Sequence, residues 1–183
     1  VKEQEYVEVS DENGVYTGQK VLKSEAHRLG LWHTCVHVWL YNSNGGVLFQ
    51  KRSSTKDTSP NLWDASVSGH ISYGETPIQA ALRELYEEIG VRSKESDIVL
   101  FFTGKKQKHN IEKNIIDNEL YYVFGLETSL GEESFKLQEE EVVGVRYINI
   151  NEISSLLKKE KNTFVGGEQY YDKVISAISN KLS

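Results

Sequence analysis

A chain of 183 residues, 38% hydrophobic and 26% charged, is long enough to bury a sizeable core and has the composition of an ordinary globular protein. Its formal charge of −6 argues against a general nucleic-acid or acidic-membrane binder, and its single cysteine, Cys35, excludes an intrachain disulfide. No apolar run approaches the roughly 20 residues that a membrane helix needs.

The acid-bearing stretch Val1–Glu8 has no signal-peptide pattern, so the cytoplasm is the expected compartment. No repeat, low-complexity tract or linker interrupts the chain, and residues 1–183 are expected to form one domain. Residues 1–30 form its N-terminal hairpin and lead-in, and residues 150–183 its C-terminal helices. Tyr6–Val9 and Val15–Tyr16 flank Asn13-Gly14, a tight-turn pair that predicts the hairpin. A β-rich run from His33 to Tyr41 is followed by a turn at Asn44-Gly45-Gly46 and a strand at Val47–Lys51. Residues 53–62, with Pro60, read as a loop, and Leu62–Val67 as a short strand leading into Gly69.

Thr76 to Ile89 is the clearest helix. Thr76 is an N-cap residue, Pro77 suits the first helical position, Gln79 completes a capping box and Gly90 ends the helix. Ile78, Ala81, Leu82, Leu85 and Ile89 recur at helical spacing and define its buried face. Strands are expected at Ile98–Thr103, Glu119–Leu126 and Val142–Ile148, and amphipathic helices near Glu152–Lys159 and Glu168–Leu182. The order of elements describes an α+β fold, a mixed sheet flanked by helices.

The polar side of the Thr76–Ile89 helix carries the chemistry. Glu84, Glu87 and Glu88 stand at i, i+3 and i+4, so their carboxylates crowd one face. Like charges that close raise one another's pKa, and a hard cation such as Mg²⁺ relieves them through oxygen ligands. Arg83 lies four residues before Glu87, and the Gly-bounded loop Gly69–Glu75 brings a fourth carboxylate to the helix start. An acidic helix face ordinarily lies in solvent. Here the spacing Gly69, Glu75, Arg83-Glu84-Leu85, Glu87-Glu88, Gly90-Val91 fills every position of G-x5-E-x7-R-E-U-x-E-E-x-G-U, where U is aliphatic.

That pattern is the Nudix box, here residues 69–91, and the chain resembles the Nudix superfamily. The resemblance implies an α/β/α sandwich whose box forms a loop–helix–loop metal site. It makes Glu84, Glu87 and Glu88 ligands of Mg²⁺, or of Mn²⁺ in its place, with the Gly69 carbonyl as a further ligand. Glu84 or a neighbouring Glu becomes the base for the attacking water, and Arg83 its positioning partner. The implied substrate is a small diphosphate-containing molecule, with no nucleic acid or membrane as partner, handled by a monomer or homodimer.

The likeness extends to the branch similar to type 1 isopentenyl-diphosphate isomerase, through His27–His33 and Leu62–His70. In that isomerase, His residues and two later acids hold a metal, which points to His33, His70, Asp117 and Glu119, with His27 one residue out of spacing. Arg52 and Lys56 match basic residues that contact the diphosphate, and His70 joins them on the substrate side. The isomerase also uses a cysteine directly before the box glycine, whereas this chain has Ser68, whose hydroxyl is far less acidic. A complete box with that cysteine missing favours a hydrolase over an isomerase, or over a non-catalytic Nudix module that binds a ligand.

The remaining polar features read as structural. His37 is expected to make a structural hydrogen bond and Cys35 to be a small buried residue. Lys105, Lys106, Lys108 and His109 are expected in a solvated loop, with a phosphate-facing lid as the sharper alternative. Glu139-Glu140-Glu141 is expected to be exposed, and Trp32 and Trp63 to belong to the core.

Overall fold

The computed structural model describes residues 4–56 and 58–183; Val1–Glu3, part of the N-terminal stretch read above, and Asp57, in the polar loop, lie outside the described residues. Strand β1 (Tyr6–Ser10) pairs antiparallel with β2 (Tyr16–Leu22) as a separate hairpin, followed by helix α1 (Lys23–Leu29). The main sheet is built around β3 (His33–Tyr41). One edge of β3 meets β8 (Ile115–Glu127) in parallel. Its other edge meets β6 (Val67–His70) and, at its far end, β4 (Gly46–Arg52), both antiparallel. Beyond β8 lies β7 (Ile98–Asn110), and β4 carries β5 (Trp63–Asp64) and β9 (Val142–Asn149).

Side chains along β3 alternate between two cores. Val36, Val38 and Leu40 pack under helix α2 (Pro77–Ile89) with its Ala81, Leu85 and Ile89. Trp39 and Tyr41 face the other way, onto α3 (Ile150–Lys159) and α4 (Glu168–Leu182) through Ile153, Leu157, Tyr171 and Val174. With α2 on one face and α3 and α4 on the other, the expected mixed-sheet sandwich is the one found. Among the described residues, no helix is long and apolar enough to cross a membrane.

Helix α2 starts and stops as its sequence dictates. The Gln79 amide donates to the Thr76 hydroxyl at 3.3 Å, and the Thr76 amide donates to the Gln79 side chain at 2.9 Å. Gly90 ends the helix at φ 73°, a left-handed conformation that a Cβ penalises.

Three expectations need correction. Residues 23–29, read as lead-in, form α1, and β2 runs on to Leu22. Leu62–Val67 is not one strand: β5 and β6 are separate and pair with different neighbours. The basic run at 105–109 is not a loop but the outer half of β7, paired residue by residue with the start of β8. That extension has no apolar stripe to announce it; the ladder and the ion pairs described below sustain it.

Candidate active site

The three-residue segment Ser68-Gly69-His70 of β6 organises the site, because consecutive residues of a strand point to opposite faces. Gly69 is paired with Val36 and faces α2, where a Cβ would lie 2.6 Å from Glu84 Oε2 and nearer still to Oε1. The glycine leaves room for that carboxylate. Ser68 and His70 are paired with His37 and Cys35 and belong to the opposite face.

On the α2 side, Arg83 ties the box together. Its guanidinium donates to Glu84 at 2.7 Å, to Glu87 at 3.0 Å, to Glu75 twice at 2.9 Å and to the His70 carbonyl at 3.0 Å. Glu88 is buried and accepts from Gln50 Nε2 at 3.0 Å and the Ser68 amide at 3.1 Å. Burial, then the neighbouring charge of Glu84, pushes the Glu88 carboxyl up to about 8. Burial likewise raises Glu84, against the pull of Arg83. Two acids that resist ionising together are what a divalent cation stabilises.

Arg52 and Lys56 are both engaged. Arg52 is buried, donating to Asp64 at 2.9 Å, to the Thr58 carbonyl at 3.0 Å and to Ser68 Oγ at 3.5 Å, while Lys56 pairs with Glu141. Their charges still reach Glu88, where both oppose the rise of its pKa. Glu139 and Glu140 are exposed as expected, but Glu141 is half-buried through its pair with Lys56.

The far side of β6 gathers a second cluster. One ligand atom from each of His27, His33, His70 and Glu119 lies within 4.8 Å of the others, and Asp117 adjoins them. His33 Nδ1 lies 2.9 Å from the Leu31 carbonyl, and donating its proton there leaves Nε2 with a free lone pair. That nitrogen, His27 Nε2 and Asp117 Oδ1 are buried without a hydrogen-bond partner. They stand 3.8 Å from Glu119 Oε1 (His33) and 3.7 Å from each other (His27 and Asp117). The ligand atoms of His27, His33, His70 and Glu119 lie close enough together to share one cation, so the donor set fits a metal. Burial, then the charge of His70, lowers His27 and His33 to about 4, keeping both neutral. Burial opposes the charge of His70 too, but its bonds to Glu119 at 3.0 Å and Glu5 at 3.2 Å raise it to about 9.

Several participants were missed in the sequence. Lys106 points inward from β7 and pairs with Glu119 and Asp117. Gln50 was visible as a lone polar residue after the apolar run Val47–Phe49. Asp64 and Glu5 carried no local signal. His37 has its structural bond, 2.8 Å from Nδ1 to the Tyr170 hydroxyl, which also accepts from Trp39 Nε1 at 3.0 Å. Cys35 is buried as expected, 3.5 Å from Glu119 Oε2. Trp63 is half-buried rather than core, with Lys51 and Arg146 over its ring at 5.2 and 4.1 Å; Trp32 is also half-buried.

A mixed sheet between helical layers, with the carboxylates of α2 set against the glycine of β6, frames the site, and that frame has known counterparts. The NUDIX domain model matches residues 31–167. A protein of Clostridium acetobutylicum named as an uncharacterized Nudix hydrolase is 37% identical over 158 residues, covering 85% of this chain and 75% of its own. Nudix hydrolase 3 of Arabidopsis thaliana is 34% identical over 88% of this chain, which spans only 21% of that longer protein. An isopentenyl-diphosphate Delta-isomerase of Pectobacterium atrosepticum is 32% identical over 84% of this chain and 82% of its own. A crystal structure from Deinococcus radiodurans superposes with a TM-score of 0.65 at 17% identity, over 94% of this chain and 98% of that one, a likeness of fold. The chain belongs to the NUDIX family, as a Nudix hydrolase.

Proposed function

We propose that the protein is a Mg²⁺-dependent hydrolase of a diphosphate linkage in a small nucleoside-diphosphate-type or related substrate, with Mn²⁺ as an alternative cation. The observation that carries this reading is the pair of α2 carboxylates Glu88, buried, and Glu84, half-buried, whose proton affinities are both raised by burial and, at Glu88, by the neighbouring charge of Glu84. Glu84, Glu87 and Glu88 would hold the cation, with the Gly69 carbonyl as a further ligand. Charge neutralisation at the anhydride and a more acidic water are the chemistry that such an ion would supply there.

The chain's own groups do the rest. Arg83 holds Glu84 and Glu87 in one fixed geometry through its forked bonds. Glu84, half-buried and with a raised proton affinity, takes the proton of the attacking water. Arg52 and Lys56, whose charges reach Glu88, and His70 of β6 would attract the phosphates. Gln50 and the Ser68 amide hold Glu88 in place.

A second reading, double-bond isomerisation of a prenyl diphosphate, is favoured by the histidine cluster and by relatives named as isomerases. Against it, Ser68 stands where such a reaction wants a thiol, and its hydroxyl is already shared with Asp64 at 3.3 Å. The test is phosphate or nucleotide release from nucleoside di- and triphosphates, ADP-ribose, dinucleotides and isopentenyl diphosphate, with Mg²⁺ or Mn²⁺, comparing the native chain with Glu88→Gln. Turnover lost in the variant supports the hydrolase; double-bond migration without phosphate release replaces it with the isomerase.

A further inference from the structure

The ligand atoms of the histidine cluster are anchored from behind. His33 turns Nδ1 to the Leu31 carbonyl at 2.9 Å, which leaves Nε2 to the cluster. Glu119 turns Oε2 to Lys106 at 2.6 Å, which leaves Oε1 3.8 Å from His33 Nε2 and 3.0 Å from His70 Nε2. His70 follows the same plan: its outer nitrogen, Nδ1, lies 3.2 Å from Glu5 Oε1. An imidazole presents one nitrogen to a cation, and the partner of the other nitrogen decides which one.

Glu5 precedes β1, far from the box in sequence, and backbone contacts on either side of it carry it to His70. The Lys23 amide donates to the Glu5 carbonyl at 2.9 Å, the Tyr73 amide donates to the Tyr6 carbonyl at 3.0 Å, and Val7 bridges Ser72. The carboxylate then joins two elements. Its Oε2 pairs with Lys23, the first residue of α1, and its Oε1 reaches His70 on β6. Lys23 stands one turn before His27 on that helix, so a single side chain ties together the elements that carry His27 and His70. A clasp between hairpin and helix needs only the Lys23 half, and an ion pair this exposed adds little stability. The His70 half acts differently: a carboxylate behind an imidazole fixes the ring's orientation and makes its other nitrogen a stronger ligand.

We propose that Glu5 is a positioning residue for the histidine cluster. Its carboxylate holds His70 with a proton on Nδ1, so that Nε2 is presented to one divalent cation together with His27, His33 and Glu119. The N-terminal hairpin thereby belongs to the metal-binding unit. This inference rests on the fit of a cation to those side chains and not on the diphosphate reading above.

The experiment titrates Co²⁺ into the chelator-treated full chain in excess Mg²⁺, which keeps the oxygen-only box occupied. Visible absorption of the bound ion gives the affinity, and each variant is also melted thermally. The native chain binds Co²⁺ saturably. Glu5→Ala weakens that binding about 10–100-fold, the usual loss when the outer partner of a ligating histidine is removed. Glu5→Gln, whose amide oxygen still accepts from Nδ1, regains most of the loss. Val9→Ala loosens the hairpin's own core, where Val9 packs with Val7, Val21 and Ala26, and keeps the native affinity. In the Zn²⁺-loaded native chain, nitrogen NMR finds the His70 proton on Nδ1. Native Co²⁺ affinity in Glu5→Ala, an equal loss in Val9→Ala, or no saturable binding by the native chain overturns the proposal, and so does a His70 bound through Nδ1. Where Glu5→Ala fails to fold, Glu5→Met, which keeps the length of the side chain, takes its place. None of these readouts needs turnover, so a failed hydrolase assay leaves them interpretable.

Discussion

Replacing Gly69 with alanine separates the space a glycine provides from its conformational freedom. Gly69 lies in β6 and its φ is outside the left-handed region, so an alanine meets no backbone penalty. What it meets is the Glu84 carboxylate: the new methyl would lie 2.6 Å from Oε2 and closer to Oε1 and Cδ, whereas ordinary contact begins at 3.4 Å. The carboxylate must withdraw by about 1 Å, and a displacement of that size at reacting groups costs roughly a hundredfold in rate. The withdrawal also breaks the 2.7 Å bond to Arg83. Because the obstructing atoms end a flexible side chain, the fold loses only about 1–3 kcal/mol, the usual cost of overpacking. Steady-state turnover at saturating Mg²⁺ beside a thermal melt reads both. A stable variant with native kcat would refute the placement of Glu84 at the reaction centre.

Metal removal by chelation abolishes turnover and Mg²⁺ restores it, as end-point phosphate release will record. For Glu88, the folded value near 8 lies above the ordinary 4.5, so the native state holds a proton that the unfolded state gives up. Metal-free stability is therefore greatest below about pH 4.5 as far as this group is concerned, and falls as pH rises toward about 8; Glu88→Gln flattens that slope in urea melts with chelator present. Tyr170→Phe removes the hydroxyl shared by His37 and Trp39 and costs about 1–3 kcal/mol by denaturant unfolding, since two buried groups lose their partner. Leu85→Ala leaves a cavity beneath α2 and costs about 2–5 kcal/mol in the same assay.

Helix α2 was legible because cap, proline, periodicity and terminal glycine are all local, and each agrees with the others. The carboxylate cluster followed from the same local geometry. Helix α1 was not legible: its seven residues have no side-chain cap and bury only Ala26 and His27. The outer half of β7, Gly104–Asn110, is polar, and its strand character depends on a partner that arrives later in the chain. The histidine cluster joins positions 27, 33, 70 and 119, a closeness that no spacing rule encodes and that only the likeness to a known branch suggested. Arg52 and Lys56 were expected at the diphosphate from the family likeness alone, and their carboxylate partners Asp64 and Glu141 were invisible to pattern reading.

The alternation of Ser68, Gly69 and His70 keeps two polar environments apart. Because adjacent residues of one strand serve opposite faces, a side chain at 68 or 70 can change the histidine-bearing face while Gly69 keeps its packing against Glu84. A single peptide unit thus insulates the two clusters: only the backbones of Ser68 and His70, which bond Glu88 and Arg83, reach the carboxylate helix, so it is blind to the side chains carried there.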